Sequence, residues 1–189
     1  MIKMPCLFRG VFEKGSRSAL LGEVTPGCEW VMAGEGVATR KYDGTACAVI
    51  GGELYKRYDA KQGKEPPEGA IPCCAPDPIT GHWPHWLKVD PRKAEDRYHA
   101  QLWHDYPMRW GARPADGTFE LCGPKIGSNA EGYGQHVLVR HGADILLGVP
   151  RTYAGLREYL GDNLIEGIVF HHPDGRMCKI RRHDFGWPW

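Results

Sequence analysis

The chain has 189 residues, with 24 Lys and Arg against 23 Asp and Glu. That length favours one domain, or one with a modest insertion, and supplies enough chain for a proper core. A net charge of +1 gives no global basic field, so a polyanionic partner has to be met by local clusters.

The start, Met1-Ile2-Lys3-Met4-Pro5, lacks the apolar stretch of a signal peptide, and no run is long enough to span a membrane. The expectation is a cytoplasmic or nuclear chain. Seven cysteines, an odd number and mostly inside apolar runs, fit reduced buried thiols better than a disulfide framework. Up to Glu35, the runs Cys6-Leu7-Phe8, Val11-Phe12 and Glu29-Trp30-Val31-Met32 read as two or three short strands.

Lys41-Tyr42-Asp43-Gly44 then sits just before the apolar run Thr45-Ala46-Cys47-Ala48-Val49-Ile50. A lysine amine whose pKa is lowered by burial or nearby cations becomes a nucleophile able to hold a covalent intermediate. The glycine permits close approach of a ligand to the backbone. Gly51-Gly52 predicts a two-residue hairpin turn between strands at 46–50 and 53–58. The return strand brings Lys56 and Arg57 back, and ideal pairing leaves open which of the two faces inward.

Composition changes between 61 and 113. Glu65-Pro66-Pro67-Glu68-Gly69 and Asp77-Pro78-Ile79-Thr80-Gly81 are loop signals, and a helix is expected over about 92–104. Cys73-Cys74 with His82 and His85 resembles a metal cluster, but adjacent cysteines rarely aim at one ion, and a structural loop is the expectation. Trp83, Trp86, Arg92, Lys93, Arg97, Trp103, Arg109, Trp110 and Arg113 interleave aromatics and cations, a mixture that can stack bases and hold phosphates but also occurs wherever Trp caps a core.

Phe119-Glu120-Leu121-Cys122-Gly123-Pro124-Lys125 predicts a strand ending in a turn, with Glu120 between apolar neighbours. A helix with Leu156, Tyr159 and Leu160 on one face is expected to start at a Thr152 cap and stop at Gly161. Leu164 to Phe170 reads as an apolar strand with Glu166 in its middle, turning at Pro173-Asp174-Gly175. Met177 to Arg182 returns, with Lys179 and Arg181 on one face by the two-residue period. A carboxylate and two cations in one buried-looking hairpin point to a site for a metal and a phosphate, since unpaired buried charge is costly.

In order, Lys41-Tyr42-Asp43-Gly44, Arg57, Phe119-Glu120-Leu121, Glu166-Gly167-Ile168-Val169-Phe170 and Lys179-Ile180-Arg181 resemble the signature of the covalent nucleotidyltransferase superfamily, the ATP-dependent ligases and capping enzymes. Pro76 to Pro84, Glu120 to Lys125 and the end Lys179 to Trp189 further resemble the small RNA ligase family of animals and some viruses. The resemblance implies an α+β nucleotidyltransferase (adenylation-domain) fold, with antiparallel sheets flanked by helices and the nucleotide pocket between the sheets. It implies one adenylyltransferase domain over 1–189 with a loop and helix insertion at about 61–113. Only eight residues follow Arg181, so no oligonucleotide-binding (OB-fold) barrel is expected.

It also implies roles. Lys41 would attack the α-phosphorus of ATP and carry AMP, with its pKa lowered by Arg57, Lys179 and a metal. Arg40, Tyr42, Asp43, Gly44, Arg57, Glu120, Glu166 and Lys179 would bind nucleotide. Glu120 would accept from the ribose hydroxyls, and Glu166 would place Mg²⁺ or Mn²⁺ through water. Lys179 and Arg181 would neutralise the phosphates. AMP would pass to a 5′-phosphate RNA end, and a 3′-hydroxyl would displace it. Arg92, Lys93, Arg97 and Arg182 are the candidate RNA contacts.

Two departures stand out. Arg181 replaces the second lysine of the last motif, keeping charge and adding bidentate geometry. No purine-stacking aromatic is obvious, and His136 lies about where it would fall. The expected function is an ATP-dependent RNA ligase. Alternatives are a DNA nick ligase, a guanylyltransferase or a protein AMP-transferase of the same superfamily, and a non-catalytic nucleic-acid end-binding protein.

Overall fold

The computed structural model describes residues 4–13, 16–61, 63–77 and 81–189, with positions 12, 13 and 16–18 described by backbone alone. Part of the loop expected at 77–81 falls outside this set, as do the first three residues. The fold is α+β, with antiparallel sheets and few helices. Among the described residues no helix is long and apolar enough to cross a membrane. The chain divides into two compact units, a central one at Asp43–His141 and a flanking one made of Met4–Tyr42 with Gly142–Trp189.

In the flanking unit, β1 (Phe8–Glu13) and β2 (Ser16–Val24) pair antiparallel. Glu29-Trp30-Val31-Met32, expected as a strand, is instead the single-turn helix α1 (Glu29–Met32). The Glu29 carboxylate accepts from Gly27 N and the Trp30 indole donates to Gly27 O, so both tie the turn back on itself. The strand β3 (Val37–Lys41) follows. Much later come the helix α3 (Tyr153–Asp162) and the hairpin β10 (Gly167–His171) and β11 (Met177–Arg181). A three-stranded sheet results, in the order β11-β10-β3.

Period-two geometry splits this sheet into two faces. Ile168 pairs with Ile180 and Phe170 with Cys178, and all four are buried in a core with Leu7, Phe8, Val31, Leu156 and Leu160. The opposite face carries Lys41, Gly167 and Arg181 in one row and Thr39, Val169 and Lys179 in the next. α3 starts as expected, with the Thr152 hydroxyl accepting from Gly155 N, but it runs through Gly161 to Asp162. At Gly161 an added Cβ would make only ordinary contact with the Trp187 ring, at 3.4 Å, so this glycine neither ends the helix nor is required by packing. Glu166, expected inside a strand, lies one residue before β10 begins.

The central unit is a six-stranded antiparallel sheet in the order β6-β7-β5-β4-β8-β9. Its strands are β4 (Thr45–Ile50), β5 (Glu53–Ala60), β6 (Ile71–Pro72), β7 (Trp83–Lys88), β8 (Gly117–Cys122) and β9 (Val137–Arg140). The β4–β5 hairpin turns at Gly51-Gly52, whose φ angles of +58° and +75° are those a two-residue turn of the favoured hand requires.

One sheet face, with Cys47, Val49, Leu54, Phe119 and Leu121, packs against Leu102 and Trp103 of the helix α2 (Arg97–Trp110). The expected helix at 92–104 is therefore displaced toward its C-terminal end. Asp90 accepts from Arg92 N and pairs with its guanidinium, holding that segment in a turn. A 3₁₀ turn over Ala94–Asp96 follows before α2 starts, and Gly111 ends it at φ +80°.

Candidate functional site

The flanking unit gathers charge at one end of its three-stranded sheet. Lys41 closes β3, and its cross-strand neighbour is Gly167, whose neighbour on the other side is Arg181. Gly167 cannot carry a side chain here: a Cβ would lie 2.4 Å from Ile180 O and 2.8 Å from Arg181 Cα. Glu166, fixed by Arg182 N donating to its carbonyl at 2.8 Å, directs its carboxylate to Lys41 Nζ in a short ion pair. Both side chains are largely shielded, at 20% and 13% exposed, so the pair lies where charge interactions are screened less than at the open surface.

Lys179 stands on the same face. Burial, then the charges of Lys41 and Arg181, hold its ammonium below the ordinary lysine range, partly offset by Glu166. Arg181 is differently placed. Its Nη2 and Nε donate to Asp184, at 2.8 and 3.3 Å, and its backbone N donates to the same carboxylate at 2.9 Å. The buried Asp184 also accepts from the Cys6 thiol. Bonding to Asp184 raises the Arg181 pKa, so its charge is permanent and its plane is fixed.

Arg40 and Tyr42 lie on either side of Lys41. The Arg40 guanidinium covers the Tyr42 ring at 4.8 Å, and Tyr42 Oη donates to Asp144 at 2.8 Å. Arg182 is turned away from this cationic face. Its guanidinium donates to Leu160 O, Gly161 O and Asn163 O at the C-terminal end of α3, and to Pro188 O. A cation on orphan helix carbonyls is a stabilising cap.

In the central unit, Asp43 and Gly44 open the path into β4. The Asp43 carboxylate accepts from Ser128 N at 3.0 Å and Ser128 Oγ at 2.5 Å, and Asp43 N donates to Glu131 at 3.3 Å. Gly127, at φ +54°, allows this: a Cβ there would press on the Asp43 carboxylate at 3.0 Å. Gly44 is tighter still, since a Cβ would lie 2.3 Å from Leu121 O and 2.8 Å from Glu120 Cγ.

Glu120 alternates away from Phe119 and Leu121, onto the sheet face opposite α2. Its carboxylate meets His141 Nε2 at 2.8 Å. The ambiguity between Lys56 and Arg57 is settled by register. Lys56 pairs with Cys47 on the α2 face and is bound to Asp96, whereas Arg57 shares Glu120's face and donates to Asp59 at 2.7 Å. His136 packs against Tyr98, ring centroids 5.0 Å apart, with Nε2 2.5 Å from Pro124 O.

The chain resembles known RNA ligases. A zebrafish (Danio rerio) protein named RNA ligase 1 is 26% identical over 142 residues, covering 58% of this chain and 42% of its own length. The rat (Rattus norvegicus) protein of that name is 27% identical over 226 aligned positions, 81% of this chain and 68% of its own. The mouse (Mus musculus) protein is 36% identical over 81, covering 38% and 25%. This chain thus spans less than half of the zebrafish relative and a quarter of the mouse one. No family model matches it.

The remaining candidates are in the central unit. Arg92 is exposed and held by Asp90, Lys93 is exposed, and Arg97 donates to Tyr98 Oη at 2.6 Å. Cys73 and Cys74 flank the β6–β7 pairing, where Trp83 Nε1 donates to Cys74 O at 2.7 Å. Among the described residues, no three His, Cys, Asp or Glu side chains converge as a metal cage. Three residues that sequence reasoning missed complete the picture: Asp184 on Arg181, His141 on Glu120 and Ser128 on Asp43. Asp184, three residues past Arg181, was readable as an i, i+3 partner. The other two depend on long-range pairing.

Proposed function

We propose that the chain is an ATP-dependent RNA ligase acting through a lysyl-AMP intermediate. The observation that carries the reading is Lys41 at the end of β3, paired with Glu166 and sharing one sheet face with Lys179 and Arg181. The relatives named RNA ligase 1 support the choice of acceptor.

In this reading, the Lys41 amine, as its free base, attacks the α-phosphorus of ATP. The N–P bond forms as the bond to pyrophosphate breaks, leaving AMP on Nζ. An RNA 5′-phosphate oxygen then attacks the same phosphorus and returns Lys41. Last, a 3′-hydroxyl attacks the 5′-phosphate, the phosphodiester forms and AMP leaves. Lys179 and the fixed Arg181 guanidinium stabilise charge on the transferring phosphates, the main contribution a protein makes to such a reaction. Within the central unit, Asp43 orders its loop through Ser128, and His141 orients the Glu120 carboxylate, an acceptor of the kind ribose hydroxyls need. When bound, Mg²⁺ or Mn²⁺ supplies further neutralisation of the triphosphate. Glu166 would hold it through water, a fit for a hard ion that keeps most of its hydration and needs few protein carboxylates.

Intact-protein mass spectrometry after incubation with ATP and Mg²⁺ tests the first step. The expected result is an AMP adduct on the wild type, absent from Lys41→Ala and absent with GTP. Sealing of 5′-phosphate, 3′-hydroxyl RNA in preference to nicked DNA tests the acceptor. An adduct with GTP alone, or no adduct with any nucleotide, refutes the reading.

A further inference from the structure

The central unit contains a groove that takes no part in the proposed nucleotide chemistry and that holds one of the candidate RNA contacts, Arg97. It runs beside α2, over the start of β5 and the end of β7, with a volume of about 880 Å³. Its charged lining residues are Lys88, Arg97 and Arg113 against the single carboxylate of Glu53. Leu54, Val89 and Pro91 give it an apolar wall.

The cations are available. Arg97 and Arg113 are exposed, and Lys88, 58% exposed, meets Glu53 only at 3.6 Å. An open pair of that kind holds its partners weakly, at about 0–1 kcal/mol. The Arg113 guanidinium is oriented in advance, lying 4.7 Å over the Trp103 ring and donating to Trp103 O at 3.2 Å. Trp103, only 8% exposed, forms part of the wall, and its indole N–H has no partner among the described residues. A buried donor without an acceptor costs about 1–3 kcal/mol.

We infer that this groove binds single-stranded RNA, with phosphodiesters on Lys88, Arg97 and Arg113 and base faces against Val89 and Pro91. Spaced cations beside an apolar shelf match an alternation of phosphate and base, whereas an acidic peptide would meet the cations and leave the shelf uncovered. The choice of RNA as the strand rests on the end-joining reading. The groove itself does not involve Lys41, Glu166 or Glu120.

Fluorescence anisotropy with a labelled oligouridylate and the full chain tests it. Lys88→Glu and Arg97→Glu should each raise Kd about tenfold, and each should flatten the salt dependence by about 0.7 per lost phosphate contact. Lys64→Glu, an exposed lysine outside the groove with the same charge change, should bind like the wild type. Circular dichroism and an unchanged yield of nucleotide adduct would show that the variants fold. Reversal variants binding within twofold of wild type overturn the inference. So does displacement of the oligouridylate by polyglutamate at equal concentration. If the wild type takes no AMP but binds the strand through these residues, the ligase reading falls and the groove stands.

Discussion

Asp184→Asn is the substitution whose consequence is best defined. The carboxylate is buried and accepts from the Arg181 backbone N, Arg181 Nε and Nη2, and the Cys6 thiol. The amide keeps the shape but loses the charge, and its NH₂ must face one of these donors. A hydrogen bond to a charged group contributes about 1.5–3 kcal/mol, and stripping one partner from a fully buried ion pair costs about 3–5 kcal/mol. The Arg181 side chain is 35% exposed, so water compensates part of the loss, and about 2–3 kcal/mol of destabilisation is expected. Urea unfolding at neutral pH measures it as a lowered midpoint with an unchanged slope. Glu68→Gln, a change at an exposed acid outside the sheets, is the control and should leave the midpoint unmoved. A loss under about 0.5 kcal/mol, the scatter expected of an ordinary surface change, would refute the claim that Asp184 anchors Arg181.

Gly44→Ala forces a methyl against Leu121 O and should cost about 1–3 kcal/mol, read by thermal unfolding; a neutral result would mean the backbone yields there freely. Glu166→Gln should abolish AMP transfer to Lys41 while leaving the fold intact by circular dichroism, and full adduct yield would remove Glu166 from the chemistry. His99, held down to about 4 by burial, with Lys56 and His136 adding to the effect of burial and Asp96 opposing it, stays neutral in the folded chain while the unfolded chain protonates near 6.5. The unfolded state then binds more protons between these values, so stability falls as pH drops from about 6.5 to 4, by up to about 3 kcal/mol. Wild type and His99→Phe, unfolded in urea across that window, should differ in slope, and parallel curves would contradict the placement.

What was legible in the sequence was mostly local. Gly51-Gly52 could hardly be anything but a turn, because two successive residues at positive φ need glycine, and the strands around it followed. Lys179 and Arg181 share a face by simple alternation. Four apolar or acidic residues at 29–32, by contrast, carry no period long enough to separate a strand from one helical turn, and the indole and carboxylate bonds to Gly27 decide it. The α2 boundary shifted because Asp90 binds Arg92 and delays the helix. Arg182, read as a contact for RNA, is engaged by α3 carbonyls that lie about twenty residues earlier in the chain. Glu120 with His141 and Asp43 with Ser128 became visible only once strands were paired and loops closed.

The sheet order β11-β10-β3 has a consequence for biosynthesis. Lys41 and Glu166 are separated by 125 positions, and the strand that seats Lys41 lies just beyond Glu166. On a ribosome, the nucleophile candidate is exported long before any residue that gives it a charged environment. Residues 43–141 form a contiguous stretch with their own sheet and core, and can collapse in the interval. Closure of β3 on β10 joins strands that lie on either side of this whole stretch in sequence, and loop-closure entropy places it late. A nascent chain therefore holds Lys41 without its Glu166 partner until β10 has emerged and paired with β3.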